Sequence, residues 1–276
     1  MIGMERAGDP FVGWQLPAGD TLLERVERMV NPHIWAGRFG ESATIMVLGL
    51  QYHLGGHQDT TELAELCGIG TQDRVLDTCC FMGGPALQLA ETYGCTVTGF
   101  DLWDAPLWAA QRIAQLCDLR DRLHYVKADA GAIPFRDESF SVVWNQCSLE
   151  HDPAWIGAFD HVLAPGGRMA LTFQHCGKTR DPDDPFGRWS IGDLCGRLQA
   201  RGYAILHADD ISERDIAIGW QAMINRLRSE RKTFAARLGE EWVHQALYEF
   251  EGEIVRMRAG AWGNGRIVAQ KPEAAD

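Results

Sequence analysis

The sequence predicts a doubly wound α/β fold, in which helices cover a mostly parallel sheet. From residue 74 onward, short β-rich apolar runs alternate with stretches of helical spacing, and this order is typical of that fold class. A chain of 276 residues with 46% hydrophobic content is also long enough to bury one large core with a smaller attached element. We therefore expect one main sheet with helical additions.

The core elements follow one another as strand, helix, strand. Each predicted helix is placed to cross over to the next parallel strand. The predicted strands are 74–77, 96–100, 123–127, 141–144 and 168–173. The predicted helices between them are 85–93, 105–117 and 154–163, the last closed by a turn at 164–167.

Helical segments are predicted on both sides of this core. Apolar residues recur at helical spacing over 22–30, and Asp20 is a candidate cap for that helix. After the core, a helix at 191–201 and a strand at 203–209 precede two long charged helices over 212–259, broken near Gly239, and a final strand at 260–269. We expect three parts: an N-terminal helical lid (1–70), the α/β core (71–210), and a helical cap with the last strand of the sheet (211–276).

Composition limits the partners of the protein. The formal charge of -12 disfavours nucleic acid, which is held mainly by Lys and Arg, so a small neutral or cationic molecule is the expected partner. No membrane span or signal peptide is evident, and a cytoplasmic protein is expected. A homodimer and a monomer both remain open. Eight scattered cysteines predict reduced thiols, and no metal site is expected, because Cys147, His151, His175 and Cys176 match no zinc spacing.

Polar residues recur where the predicted strands end. Asp77 ends the first strand, Asp101 ends the second some 20 residues later, and Asp129 follows the third. A parallel sheet binds its ligand at the carboxyl ends of its strands, and an acid at the end of the second strand is placed to accept from the hydroxyls of a ribose. We therefore assign Asp101 to a ribose. Asp129 and the backbone amide of Ala130 are assigned to an adenine, and the fourth strand delivers Asn145 and Gln146 to the same edge.

Over roughly residues 70–175 this ordered set resembles the class I S-adenosylmethionine-dependent methyltransferases, whose core is a Rossmann-like fold. Leu163-Ala164-Pro165-Gly166-Gly167 resembles the turn before the fifth strand of that family. The resemblance implies S-adenosylmethionine as the cofactor. The residues that it places on the cofactor are Asp77, Cys79, Phe81, Gly83, Asp101, Leu102, Asp129, Ala130 and Asn145.

Three further segments are similar to the small-molecule branch that contains sarcosine and dimethylglycine methyltransferases. They are QYHLGGHQDTT at 51–61, WNQCSLEH at 144–151 and the residues 260–263. This similarity implies that the lid and the cap close over a small acceptor molecule. The acceptor walls would include Tyr52, Gly56, Gln146 and Trp262.

The loop after the first strand departs from the family pattern. The family has Gly-x-Gly-x-Gly there, because glycine permits positive φ and leaves room for the cofactor. This chain has Cys79 and Phe81 at the first two glycine positions and keeps only Gly83. Three interpretations follow: Phe81 points into the core and the usual cofactor binds, the cofactor binds in a shifted pose, or another carrier such as tetrahydrofolate replaces it.

Three functions therefore remain open. The first is methyl transfer from S-adenosylmethionine to a nitrogen, oxygen, sulfur or carbon atom of a small acceptor. The second is a methyltransferase-fold enzyme that uses tetrahydrofolate for methyl transfer, demethylation or dehalogenation, and the third is a non-catalytic binding protein. Hydroxyl and carbon acceptors need a base, and the candidates are His151, with Glu150 beside it, and His53.

Overall fold

The computed structural model describes residues 11, 13–19, 21–40, 42–179 and 184–274. Its centre is a seven-stranded sheet with the strand order β3-β2-β1-β4-β5-β7-β6. The strands are β1 (Arg74–Thr78), β2 (Thr96–Asp101), β3 (Leu123–Lys127), β4 (Phe140–Gln146), β5 (Leu163–His175), β6 (Ala204–Asp210) and β7 (Gly263–Gln270). The first five strands pair in parallel, and only β7 pairs antiparallel, with β5 and β6. The predicted doubly wound, mostly parallel sheet is confirmed.

Helices precede, connect and follow these strands. Before the sheet lie α1 (Leu22–Ile34), α2 (Ala43–Leu48) and α3 (Gly56–Cys67). The crossover helices are α4 (Gly84–Tyr93), α5 (Asp104–Leu116), α6 (Pro153–Val162) and α7 (Ile191–Gln199). Between β6 and β7 lie α8 (Ser212–Asp215), a π-helical turn (Ile216–Trp220), α9 (Gln221–Ser229), α10 (Arg231–Leu238) and α11 (Glu240–Arg258). None of the helices in these described ranges is long and apolar enough to cross a membrane.

Local chemistry explains where several helices begin. The hydroxyl of Thr21 accepts from the backbone of Glu24, whose carboxylate in turn accepts from the backbone N–H of Thr21, so a capping box starts α1. The predicted cap Asp20 lies outside the described residues. Asp152 caps α6 through the backbone N–H of Ala154.

Two predicted details are wrong. Residues 164–167 do not form a simple turn, because β5 already begins at Leu163, which pairs with Phe140 before the register shifts at a bulge. The segment before Gly239 is not one long helix, because the π-helical turn interrupts it. The break at Gly239 itself is confirmed, since this glycine has a φ of +95° and precedes α11.

Apolar residues cover both faces of the sheet. One cluster packs α1, α3, α4 and α5 against it, around Val97, Leu87 and Ile113. The other packs α6 and α7 against the opposite face, around Phe159 and Leu194. A third cluster joins α9, α10 and α11 to α2. The strand order reverses between β1 and β4, and in such sheets the ligand binds at this reversal, beyond the carboxyl ends of the strands.

Candidate active site

A cavity of about 530 Å³ lies at this carboxyl edge, which is within the usual size range of small-molecule sites. The sheet contributes the loop after β1, the ends of β2 and β3, and the loop after β4. The helical segments before and after the core contribute the opposite wall. The lining residues are Thr44, Leu48, Tyr52, His53, Leu54, Cys79, Phe81, Phe100, Asp101, Leu102, Trp103, Ala128, Asp129, Ala130, Gln146, Cys147, Ser148, Glu150, Trp155, Gln174, Trp220 and Asn264.

The loop after β1 has the backbone that glycines favour, although it carries side chains. Cys79 has a φ of +56° and Phe81 a φ of +49°, both in the left-handed region, and Gly83 has a φ of +71°. The turn is held by the N–H of Cys80, which donates to the carbonyl of Phe100, and by the N–H of Gly83, which donates to Cys80. Cys79 and Phe81 therefore keep a glycine-type turn rather than abolish it.

The ring of Phe81 packs away from the sheet and against the lid. It is 5% exposed, and its centroid lies 4.9 Å from that of Tyr52 and 6.4 Å from that of Phe39. One edge still lines the cavity, where Trp103 approaches at 6.2 Å. The ring of Phe81 is thus buried, as the first interpretation of this loop expects, but it also forms part of the cavity wall, and binding of the usual cofactor stays a prediction.

Asp101 binds the loop as well as lining the cavity. Its Oδ2 accepts from the N–H of Phe81 at 2.9 Å, and its Oδ1 accepts from the N–H of Trp103 at 3.1 Å. Asp129 lies across the cavity, where its Oδ1 accepts from the N–H of Gly131 at 2.8 Å. Leu102 and Ala130 complete this edge.

Asp77 lies just behind the loop, in a small recess that Cys79 and Phe81 also line. Its side chain is 3% exposed, and its Oδ2 has no hydrogen-bond partner among the described residues. Burial, with the nearby charge of Asp101, raises the pKa of Asp77 to about 8. Gly83 and Asn145 do not line the cavity. Asn145 is fully buried and donates to the hydroxyls of Thr78 and Ser148.

The cysteines at this edge are poor nucleophiles. Burial raises the pKa of Cys79 to about 12, and burial together with the charges of Asp59 and Asp215 raises that of Cys147 to about 12. Both thiols therefore stay protonated near neutral pH. Within the described ranges, no three His, Cys, Asp or Glu side chains are grouped as metal ligands.

His53 lines the cavity and belongs to a buried polar network. Its Nε2 lies 3.0 Å from Oε1 of Gln51, and its Nδ1 lies 3.2 Å from the carbonyl of Leu54 and 3.5 Å from Asp59. Its Nδ1 also lies 3.5 Å from Nε2 of Gln146, and its Nε2 lies 3.2 Å from the hydroxyl of Thr60, so both ring nitrogens have polar partners within the protein. Gln146, which also lines the cavity, donates to Asp59 at 2.6 Å.

His151 lies outside the lining of this cavity, although its neighbour Glu150 is part of it. The Nδ1 of His151 accepts from the N–H of Trp189 at 3.1 Å, and its ring packs against Trp189 and Phe173. Burial and the charge of Arg188 lower its pKa. Between His151 and His53, the structure brings only His53 to the cavity.

Of the residues predicted to contact the acceptor, some line this cavity and others do not. Tyr52 and Gln146 line the cavity, whereas Gly56 begins α3 and Trp262 lines a neighbouring cavity that shares Gln174 and Trp220. Sequence reasoning missed Trp220 and Asn264, which reach the cavity from the π-helical turn and from β7. Neither residue could be predicted from the sequence. No local sequence pattern marks a π-helical turn.

The fold and the cofactor edge together define a class I methyltransferase-type domain. Residues 75–167 match the family described as a methyltransferase domain. The resemblance predicted from the sequence is confirmed for the core.

Known relatives agree with this assignment. The 27-O-demethylrifamycin SV methyltransferase of Amycolatopsis mediterranei is 38% identical over 115 residues, covering 41% of this chain and 42% of its own. The sterol 24-C-methyltransferase of Saccharomyces cerevisiae is 28% identical over 176 residues, covering 57% of this chain and 46% of its own. The chain thus spans about half the length of the curated relatives it matches.

Solved structures extend the likeness of fold beyond the core. Phosphoethanolamine N-methyltransferase 2 of Haemonchus contortus, in complex with phosphomonomethylethanolamine and S-adenosylhomocysteine, has a TM-score of 0.77 at 19% identity, over 93% of this chain and 62% of that one. A protein of Galdieria sulphuraria assigned as a sarcosine dimethylglycine methyltransferase has a TM-score of 0.69 at 19% identity, over 80% of this chain and 86% of that one. At these identities the likeness establishes the fold alone.

Proposed function

We propose that this protein transfers the methyl group of S-adenosylmethionine to a small acceptor molecule held in the central cavity. One observation carries the proposal: the left-handed loop at Cys79 and Phe81, the acid Asp101 and the pair Asp129 and Ala130 all line the same cavity. The methyltransferase names of the relatives favour this function over the folate-dependent and non-catalytic alternatives.

The hydrogen-bonding capacity of Asp101 fits a ribose. A carboxylate oxygen accepts about two hydrogen bonds, and each oxygen of Asp101 accepts one from the backbone. One further bond to each oxygen would hold two neighbouring hydroxyls. Asp129 has its Oδ2 for an adenine amino group, and Leu102, which is 55% exposed, gives apolar surface beside it.

Asp77 fits the amino group of the methionine part. Its buried Oδ2 lacks a partner within the described structure, and a cation placed beside it would favour the ionised carboxylate. Gln146 and Tyr52 line the recess in front of it. The residues present therefore suit the whole S-adenosylmethionine molecule, from the adenine at Asp129 to the amino group of the methionine part at Asp77.

The chain has to position the acceptor, and for a hydroxyl or carbon acceptor it also has to take up a proton. When bound, S-adenosylmethionine supplies a methyl group already activated by its sulfonium charge, so alignment in a dry pocket provides most of the rate. The carboxylates of Asp101, Asp129 and Glu150 surround the cavity and stabilise positive charge. Since both nitrogens of His53 have partners within the protein, we assign the role of proton acceptor to Glu150, a carboxylate that lines the cavity.

The expected partner is a small molecule, and neither nucleic acid nor a membrane is part of this proposal. A net charge of -12 opposes binding to phosphates. We also place the protein in the cytoplasm, where eight scattered cysteines would stay reduced.

Calorimetry of the full chain with S-adenosylmethionine, S-adenosylhomocysteine and tetrahydrofolate tests the proposal. We expect both adenosyl compounds to bind and tetrahydrofolate not to bind. Absence of adenosyl binding at millimolar ligand would refute the proposed function, and binding of tetrahydrofolate alone would support the folate-dependent alternative.

A further inference from the structure

Two residues that line the acceptor side of the cavity have a buried polar atom without a partner. Among the described residues, neither Nε1 of Trp220 nor Oδ1 of Asn264 forms a hydrogen bond. Trp220 is 7% exposed and Asn264 is 1% exposed. Leaving such a group unpaired costs about 1 to 3 kcal/mol, so each atom calls for an explanation.

Asn264 is held so that only its carbonyl oxygen lacks a partner. Its Nδ2 donates to Oδ2 of Asp215 at 2.7 Å, and Oδ1 of Asp215 accepts from Arg214 at 2.7 Å. The backbone is also fixed, since its N–H donates to Ser212 at 3.0 Å and its carbonyl accepts from Ile211 at 2.8 Å. The amide therefore presents a hydrogen-bond acceptor in a set orientation.

Trp220 presents a donor in a similarly fixed position. It ends the π-helical turn that starts at Ile216, and such turns occur frequently at functional sites. Its ring packs against Phe250 at 5.6 Å and Trp262 at 6.5 Å between centroids, which fixes the direction of the indole N–H.

The charges around the cavity limit what those two atoms can bind. Asp101, Asp129 and Glu150 are acidic, and no Lys or Arg occurs among the lining residues in the described part of the chain. A carboxylate or phosphate would therefore be repelled without compensation. A carboxylate also has no proton to donate to Asn264, and an ammonium has no lone pair to accept from Trp220.

We infer that the acceptor substrate is an uncharged, largely apolar molecule with at least one hydroxyl group, which accepts from Nε1 of Trp220 or donates to Oδ1 of Asn264. A hydroxyl can satisfy either atom because it is donor and acceptor at once. Leu48, Leu54 and Trp155 give the apolar surface for the rest of the molecule. The inference rests on the proposed function in naming this molecule the methyl acceptor.

Four matched probes test it on the full chain saturated with S-adenosylhomocysteine: phenol, toluene, benzoate and benzylamine. Dissociation constants come from ligand-observed NMR. Phenol should bind roughly three- to tenfold more tightly than toluene, the effect of one or two neutral hydrogen bonds, and more tightly than either charged probe. Toluene, benzoate or benzylamine binding as tightly as phenol, or no binding by phenol, would overturn the inference.

Substitutions at Trp220 and Asn264 test whether these two residues cause the preference for phenol. Trp220→Phe or Asn264→Leu, or each of them, should lower the preference for phenol over toluene, while the affinity for toluene stays the same. Trp108→Phe is the control, because Trp108 also has a buried unpartnered Nε1 but lies on α5, outside the cavity lining. If all three variants keep the preference for phenol, the inference is wrong. Failure of S-adenosylhomocysteine to bind would refute the proposed function, and the phenol-to-toluene ratio measured without it still tests this inference.

Discussion

The backbone N–H of Phe81 donates a 2.9 Å hydrogen bond to Oδ2 of Asp101. The acid assigned to the cofactor therefore also holds the loop in which side chains replace glycines. A positive φ disfavours residues with a Cβ by roughly 1 to 2 kcal/mol each, and this charge-assisted bond offsets part of that cost at Phe81. The unusual loop and the acid proposed to bind the ribose are thus one unit.

Replacing the carboxylate of Asp101 should weaken binding of the cofactor. In Asp101→Asn one oxygen is lost as an acceptor, so we expect S-adenosylhomocysteine to bind at least about 1 kcal/mol more weakly in calorimetry. Asp104→Asn is the matched control, because Asp104 pairs with Lys127 at the surface. Equal affinity in wild type and Asp101→Asn would remove Asp101 from the ribose.

Glycine at the two altered loop positions should affect stability to different extents. Cys79→Gly removes a strained positive φ and a small side chain, so the free energy of unfolding should change by less than about 1 kcal/mol. Phe81→Gly relieves the same strain but loses an aromatic ring that is 5% exposed, and it should destabilise by about 2 to 4 kcal/mol. Urea denaturation measures both. A stabilised Phe81→Gly would show that its contacts with Tyr52 and Phe39 are weak.

Gly83 is required by space as well as by its backbone. A Cβ at this position would lie 2.3 Å from the hydroxyl of Tyr125, so Gly83→Ala should destabilise by about 1 to 3 kcal/mol. Gly252 lies in the middle of α11, where a Cβ would meet nothing within 4 Å, and Gly252→Ala should stabilise by about 0.5 to 1 kcal/mol. In thermal denaturation, the melting temperature of Gly83→Ala should be lower than that of wild type, and the melting temperature of Gly252→Ala should be higher.

Asp77 should make stability depend on pH. Because its pKa rises from the ordinary 3.8 to about 8 on folding, the folded state holds this proton more tightly, and its contribution to stability falls as pH rises from about 4 to about 8. Asp77→Asn should therefore match wild type near pH 4 and be more stable at pH 8. Urea denaturation at both pH values tests this. A constant difference between the two proteins would contradict the raised pKa.

The core could be predicted because its strands are short β-rich runs and its helices cross over between them. Leu123–Lys127 is one strand whose predicted bounds agree with the structure. The bulge in β5 could not be predicted, since pairing between Leu163 and Phe140 depends on tertiary contacts. The same holds for the π-helical turn, whose residues differ little from those of an ordinary helix.

The cofactor edge was easier to predict than the acceptor side. Asp101 and Asp129 follow directly from strand ends, where the position in the chain fixes the position in space. His151 follows a strand too, but its hydrogen bond with Trp189 orients its ring within the protein, and no local pattern reveals that partner. Trp220 and Asn264 line the cavity from the π-helical turn and from β7, two elements that are distant in sequence from the predicted site residues of the core.

The proposed cofactor edge and part of the wall proposed for the acceptor are encoded in different stretches of the chain. The residues proposed for the cofactor lie within 75–167, the stretch that matches the methyltransferase domain family, whereas Thr44, Leu48, Trp220 and Asn264 lie outside it. Mutation can therefore alter the acceptor wall while the cofactor loop stays intact. This separation gives a physical reason why the relatives align over only part of the chain, and it makes the flanking helices the place to change substrate range by design.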